Sequence, residues 1–175
     1  TISRIARDLD HQVSRYHDRA LEDQYQYLFF DGVVLKSKGA VKVQKKILLC
    51  AFGITVEGRH EMIDFYPAAS ESEACWETFL NDLYQRGLKG NRCELIATDG
   101  GTGLHAALQI VYPKIVLQRC WAHKTRNVLD KVKKKDQLMV KKALNRVSHA
   151  ANRREAIQAY WRLSSRWRKT YPRAV

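Results

Sequence analysis

The 175-residue sequence predicts an α/β fold: a mixed sheet of three antiparallel strands and then parallel strands, continued by a basic, all-helical region. Three observations lead there. Three β-patterned runs follow one another between residues 25 and 69, separated by short turns. Beyond residue 90 the pattern changes to short apolar strands alternating with helices, the order of parallel α/β units. From about Trp121 to Arg168 the apolar spacing is helical and the composition strongly basic.

The elements follow in order. Ile2, Ile5, Leu9, Val13 and Tyr16 recur at helical spacing through Leu21, and a chain that starts at Thr1 in mid-pattern reads as a piece of something longer. Tyr25 to Leu35 is an aromatic and β-branched run that ends in a basic, glycine-containing turn around Lys36 to Ala40. Val41 to Thr55 and Arg59 to Ala69 are two more strands about the turn Val56-Glu57-Gly58. Ser70-Glu71-Ser72-Glu73 has the Ser-x-x-Glu pattern of a capping box and opens a helix with Trp76, Phe79, Leu80 and Leu83 on one face, ended by Gly87 and Gly90. Cys93 to Asp99 is a short buried strand, a glycine pair turns the chain into a helix over Thr102 to Val111, and Lys114 to Leu117 is a fifth strand. The helical remainder breaks near Lys135 and near Ala151.

Charge divides the chain unevenly. Residues 1–112 carry 13 Lys and Arg against 15 Asp and Glu, whereas residues 113–175 carry 18 against 3. A surplus that dense repels itself unless a polyanion neutralises it, and nucleic acid is the commonest such partner; the plainer alternative is a solvated helical face. Lys131, Lys133, Lys134, Lys135, Lys141 and Lys142 are the best placed to meet phosphates, giving salt-sensitive affinity without sequence preference. No run of eighteen apolar residues and no signal pattern occurs, which predicts a cytoplasmic protein without a membrane partner. Cys50, Cys75, Cys93 and Cys120 are scattered, as expected of reduced, buried thiols.

Two aspartates stand out. Asp31 interrupts the apolar strand after Leu28-Phe29-Phe30, and Asp99 closes the second apolar strand just before a glycine turn. An ionised carboxylate on such a surface is costly unless it is paired or holds a cation. If the two strands are neighbours, the carboxylates converge at one rim, as a hard divalent ion such as Mg²⁺ requires. On spacing alone the alternatives stay open: Asp31 as a hydrogen-bonded turn residue and Asp99 as a cap of the following helix.

Four segments in order, Tyr27 to Lys36, Glu71 to Trp76, Thr98-Asp99-Gly100 and Gln118 to Asn127, resemble the bacterial Mutator-type insertion-sequence transposases over about residues 1 to 135. The resemblance implies a ribonuclease H-like fold and an Asp-Asp-Glu triad that binds two Mg²⁺ or Mn²⁺ ions. Asp31 matches the first triad member and Asp99 the second. It also implies DNA partners, the terminal inverted repeats of the element and its target, work as a homo-oligomer on DNA, and a place on the nucleoid. The reaction implied is phosphodiester hydrolysis at an element end, then attack of the freed 3′-hydroxyl on another strand. The family's glutamate follows an all-helical insertion and has no match here. Glu155, the only glutamate after Asp99, lies in a context that does not fit, so the chain alone is expected to have little strand-transfer activity. The organisation implied is an N-terminal helix over 1–24, the tail of a DNA-reading region to which Thr1-Ile2-Ser3-Arg4-Ile5 is similar; a core over 25–135 without its last acidic residue; and the start of the insertion over 136–175.

Other residues invite sharper readings than they support. Cys120-x-x-His123 pairs two favoured zinc ligands, yet a structural site needs four and no second pair lies near in sequence. The family carries the same signature, where packing near the active-site rim is the expected role, with His123, Lys124 and Arg126 placed to meet phosphate. Glu71 and Glu73 are accounted for by the capping pattern. Trp76, Trp121, Trp161 and Trp167, at helical spacing, are expected in the core rather than stacked on bases. Two rival functions remain: a basic nucleic-acid-binding protein without catalysis, and another ribonuclease H-like nuclease such as a junction resolvase.

Overall fold

A computed structural model describes residues 2–38 and 43–175, with side chains at 7–36 and 45–175. The turn expected about Ala40 and the side chains of the Ile2 to Ile5 segment lie outside the described residues, as does Thr1. Two compact units divide the chain, Thr1–Gln118 and Arg119–Val175.

The first unit holds helix α1 (Ile2–Asp18), strands β1 (Tyr25–Lys38), β2 (Val43–Thr55) and β3 (His60–Ala68), helix α2 (Glu73–Gln85), strand β4 (Leu95–Thr98) and helix α3 (Thr102–Val111). With β5 (Val116–Arg119) they form a five-stranded mixed sheet in the order β3-β2-β1-β4-β5. β1 pairs antiparallel with β2 and β2 with β3, while β4 joins β1 in parallel. The alternation in β1 explains its two faces. Leu28 and Phe30 are buried toward α2 and α3, and Phe29 and Val33 are turned outward. Trp76, Phe79, Leu80 and Leu83 of α2 and Leu104 and Leu108 of α3 complete the core. Each such side chain contributes roughly 1.5–3 kcal/mol by leaving water. The fifth strand lies two residues later than its apolar run suggests, because Ile115 is drawn into the turn after α3, donating to Tyr112 O at 3.2 Å and packing on the core.

Two features lock the edges of this unit. Asp64 of β3, 1% exposed as a side chain, accepts from His17 Nδ1 at 2.6 Å and forms a close ion pair with Arg86, joining α1, β3 and the end of α2. Helix α2 closes with Leu88 N donating to Leu83 O at 3.0 Å and Gly87 N to Tyr84 O at 3.3 Å. At its start the expected box does not form. The cap is Ser72, whose hydroxyl accepts from Cys75 N at 3.4 Å, so Glu73 is the first helical residue and Glu71 lies outside the helix.

In the second unit α4 (Trp121–Leu129), α5 (Lys134–Ser148) and α6 (Arg153–Trp167) share an apolar seam of Val128, Val132, Val140, Leu144, Leu163 and Trp167, with Tyr171 after the last helix. The helix breaks fall at 130–133 and 149–152, close to the expected places. Val128 and Val132 pack with α5 and α6, within the compact unit that begins at 119. Asn152 caps α6: Glu155 N donates to Asn152 Oδ1 at 3.0 Å, and the side-chain amide Nδ2 of Asn152 donates to Glu155 Oε1 at 3.1 Å.

Candidate functional site

The register of the first unit decides where its two singled-out aspartates lie. Phe30 of β1 pairs with Thr98 of β4 at the end of their parallel ladder, so Asp31 and Asp99 come next on adjacent strands. Such strands run about 4.8 Å apart. Both residues are half-buried. Asp31 stands opposite Cys50 of β2, whose thiol is pushed above its ordinary range by burial first and by the Asp31 charge second. Asp99 takes on part of the turn role as well: one of its oxygens accepts from Gly101 N at 2.8 Å, at the cap of α3.

A third carboxylate arrives from outside either strand. Glu71, in the connection between β3 and α2, lays its side chain over Gly32, where a Cβ would stand 2.5 Å from the Glu71 Cδ. Burial, then the charges of Asp99 and Asp31, raise the Glu71 carboxyl above its usual range. Sequence reasoning assigned Glu71 to a cap because Ser70-x-x-Glu73 offered a local explanation. The glycine that follows each aspartate motif, Gly32 and Gly103, was the signal that something crowds there. Among the described residues, no three Asp, Glu, His or Cys side chains stand close enough to encircle a metal ion. The donor chemistry of Asp31 and Asp99, both carboxylates, suits a hard cation, while Glu71 fills the space that Gly32 leaves.

The second unit carries the other residues. Cys120 is the cap residue of α4 without a side-chain capping bond, and its thiol is free; His123 is half-buried one turn on. Lys124 and Arg126 on α4, Lys131 and Lys133 in the following turn, and Lys134, Lys135, Lys141 and Lys142 on α5 are all exposed. Lys142 faces α6 across a cleft of about 1040 Å³ that Arg146, His149, Arg162, Arg166 and Glu155 also line. Arg126 and Lys141 line a smaller groove of about 540 Å³ with Trp121. The three arginines of the larger cleft were missed, although Lys142 and Arg146, and Arg162 and Arg166, each stand one helical turn apart.

Two expectations need correction. Trp76 and Trp167 are core residues, but Trp121 and Trp161 are 41% and 61% exposed, because the apolar seam of the second unit is narrow and uses other positions. Of the four thiols only Cys50 is fully buried; Cys75, Cys93 and Cys120 are partly open. No helix among the described residues is long and apolar enough to cross a membrane.

Comparison with known proteins places these features. The profile of a family described as "Transposase, Mutator family" matches residues 1–175. The transposase for insertion sequence element IS905 of Lactococcus lactis is 32% identical over 175 residues, 100% of this chain and 44% of that protein. The transposase for ISRM5 of Rhizobium meliloti is 37% identical over 135 residues, 77% of this chain and 33% of its own length. The transposase for IST2 of Acidithiobacillus ferrooxidans is 40% identical over 129 residues, 73% of this chain and 43% of its own. The chain thus spans less than half the length of these relatives. Among solved structures, a chain of a simian T-cell lymphotropic virus intasome in complex with PP2A regulatory subunit B56 gamma covers 81% of this chain and 48% of that one, at 13% identity and a TM-score of 0.34, too low to argue from.

Proposed function

The chain belongs to the Mutator family of transposases, and from that premise we propose that its first unit is part of a ribonuclease H-like core whose Asp31 and Asp99 hold divalent metal for DNA cleavage and strand transfer. The observation that supports this most is the parallel register of β1 and β4, which brings those two carboxylates to one rim. When bound, Mg²⁺ or Mn²⁺ supplies Lewis-acid stabilisation of the phosphodiester and activates the attacking oxygen.

The remaining steps belong to the chain's own residues. Asp31 is paired with Cys50 of β2 and directly follows the last β1–β4 pair, Phe30 with Thr98, so its backbone is held within the sheet rather than in a flexible loop. Asp99 is restrained by the bond its Oδ1 accepts from Gly101 N. The exposed lysines of α4 and α5 and the cleft between α5 and α6 bind the phosphate backbone, neutralising charge without reading bases. In the full-length protein the substrates are the inverted repeats of an insertion element and its target DNA. The protein acts as a multimer in the cytoplasm, on the nucleoid. The third triad carboxylate is matched by no residue here: Glu155, the one glutamate after Asp99, accepts from the Asn152 side chain at the cap of α6. The chain by itself therefore binds metal and DNA without completing strand transfer.

Calorimetric titration with Mn²⁺ tests the reading. The intact chain gives a binding signal that Asp31→Asn and Asp99→Asn each abolish. A signal that survives in both variants removes the two aspartates from any metal site and leaves a basic nucleic-acid-binding module, the reading that the cleft between α5 and α6 supports without metal.

A further inference from the structure

We propose that the groove between α4 and α5 receives an unpaired base of a DNA strand, stacked on Trp121 with its flanking phosphates on Arg126 and Lys141. The inference rests on the DNA-binding reading of the second unit and adds to it the form of the substrate, a strand with a base out of the double helix.

The groove follows from the helix pair that builds it. Trp121, Thr125 and Leu129 stand one turn apart on α4, and Gln137, Lys141 and Asn145 do so on α5, so each helix turns one stripe toward a space of about 540 Å³. The turn end is closed: Gln137 Nε2 donates to Leu129 O at 2.9 Å and to Val132 O at 3.2 Å, tying α5 to the end of α4. At the far end of α5 the Ser148 hydroxyl and His149 Nδ1 both meet Asn145 O, at 3.3 and 3.0 Å.

The groups between these ends are not used by the fold. Trp121 is 41% exposed and takes no part in the seam of Val128, Val140, Leu144 and Leu163. Among the described residues no second ring and no cation lies against its indole, whereas Trp161 has Tyr160 against it and stands outside the groove. Arg126 and Lys141 are exposed and make no ion pair among the described residues, and the side-chain amide of Asn145 makes no hydrogen bond among them. Asp130, beside the turn, is the one acid of the lining.

Shape and charge together select the form of nucleic acid that fits. A duplex carries its phosphates outside and covers each base face with its neighbours, so it suits cations on open helical faces and offers nothing to an indole in a groove. A base out of the stack has an uncovered face, which an aromatic side chain takes up whatever the base is. A space of about 300–1,000 Å³ is the usual size for a small organic ligand, and the groove falls within it. Two cations beside the ring match the charges on either side of such a base, and the Asn145 amide, both donor and acceptor, suits its edge. An acidic peptide would answer the cations and leave the indole face unused.

The test compares three labelled DNAs by fluorescence anisotropy at one salt concentration. They are a blunt duplex of arbitrary sequence, the same duplex with a short bulge of unpaired thymines, and that bulge with abasic sites in place of the thymines. The two bulged DNAs carry equal charge, so their difference reports the bases alone. The intact chain is expected to bind the thymine bulge roughly tenfold more tightly than the abasic one, within the range for one base stacked on an aromatic side chain. Trp121→Ala should abolish that ratio and leave affinity for the blunt duplex unchanged, Trp121→Phe should keep most of the ratio, and Trp161→Ala all of it. Should Trp121→Ala unfold in a thermal scan, Trp121→Leu, which fills space without an aromatic face, decides by the same ratio. Equal binding of the two bulges by the intact chain, or a thymine preference that persists without the Trp121 ring, overturns the inference and leaves duplex binding standing. An equal loss for all three DNAs in the Trp121 variants makes the residue a structural support of α4 and overturns it as well. Failure of the intact chain to bind any of the three overturns the DNA-binding reading and the inference together.

Discussion

The two compact units hold their chemically important side chains in opposite ways. In Thr1–Gln118 the carboxylates are placed by backbone pairing between residues far apart in sequence, such as Phe30 with Thr98, and by a buried ion network around Asp64. In Arg119–Val175 the cations stand on the outer faces of short helices over an apolar seam, and their positions follow from helical spacing alone. The first arrangement suits chemistry that tolerates little displacement of a few groups. The second suits a ligand of repeating charge, where many interchangeable contacts sum to affinity.

The largest expected effect breaks the first arrangement at its foundation. Asp64→Ala removes the partner of both His17 and Arg86, whose side chain is only 12% exposed, and leaves that guanidinium buried with only the 2.8 Å contact to Asp82 among its described ion pairs. Loss of one member of a buried pair costs about 3–5 kcal/mol. Denaturant unfolding is expected to show a loss of that size. A loss under 1 kcal/mol would mean that β3 and α2 are held by their apolar faces and that the register behind Asp31 does not depend on the ion network.

The same contrast explains what could be read from the sequence. The placement of Asp31 and Asp99 at the ends of adjacent strands was legible because each interrupts an apolar run, a local pattern that fixes a strand end. So were the three-strand meander and the breaks between α4, α5 and α6, which depend on turn residues and periodicity. Glu71 was not legible, because its place over Gly32 is made by the return of a loop from the far edge of the sheet, while Ser70-x-x-Glu73 supplied a sufficient local explanation. The cap turned out to be Ser72, two residues on. The exposure of Trp121 and Trp161 was hidden for a related reason: helical spacing marks a face as apolar without saying that a neighbour covers it.

A smaller effect compares the caps of the two units. Asn152 accepts from Glu155 N at 3.0 Å and donates back to Glu155 at 3.1 Å, whereas Ser72 makes one bond of 3.4 Å to Cys75 N. Asn152→Ala should cost about 1 kcal/mol. Ser72→Ala should cost less, about 0.5 kcal/mol, the low end for such replacements. Equal losses measured by thermal unfolding would show that the Asn152 Nδ2 bond to Glu155 adds nothing at the start of α6. The comparison also bears on Glu155: if Glu155→Gln keeps most of the stability of the intact chain, hydrogen bonding rather than charge is what occupies it there.

The smallest change in stability belongs to the cleft between α5 and α6, and it separates the two units most clearly. Arg162→Ala, at an exposed position lining that cleft, should move stability by no more than about 0.5 kcal/mol. Its effect should appear in DNA binding. If Arg162 neutralises one phosphate, the slope of log affinity against log salt for a duplex of arbitrary sequence becomes shallower by about 0.9, and the loss is alike for every sequence tried. Arg146→Ala should do the same, and the two should add, because contacts with a repeating polyanion are independent in a way that Asp31 and Asp99 are not. An unchanged slope in both variants would move the DNA-binding face away from the cleft, toward the lysines of α4 and the turn that follows it. A slope change with a marked sequence preference would instead give the arginines a base-reading role that their place on open helical faces does not suggest.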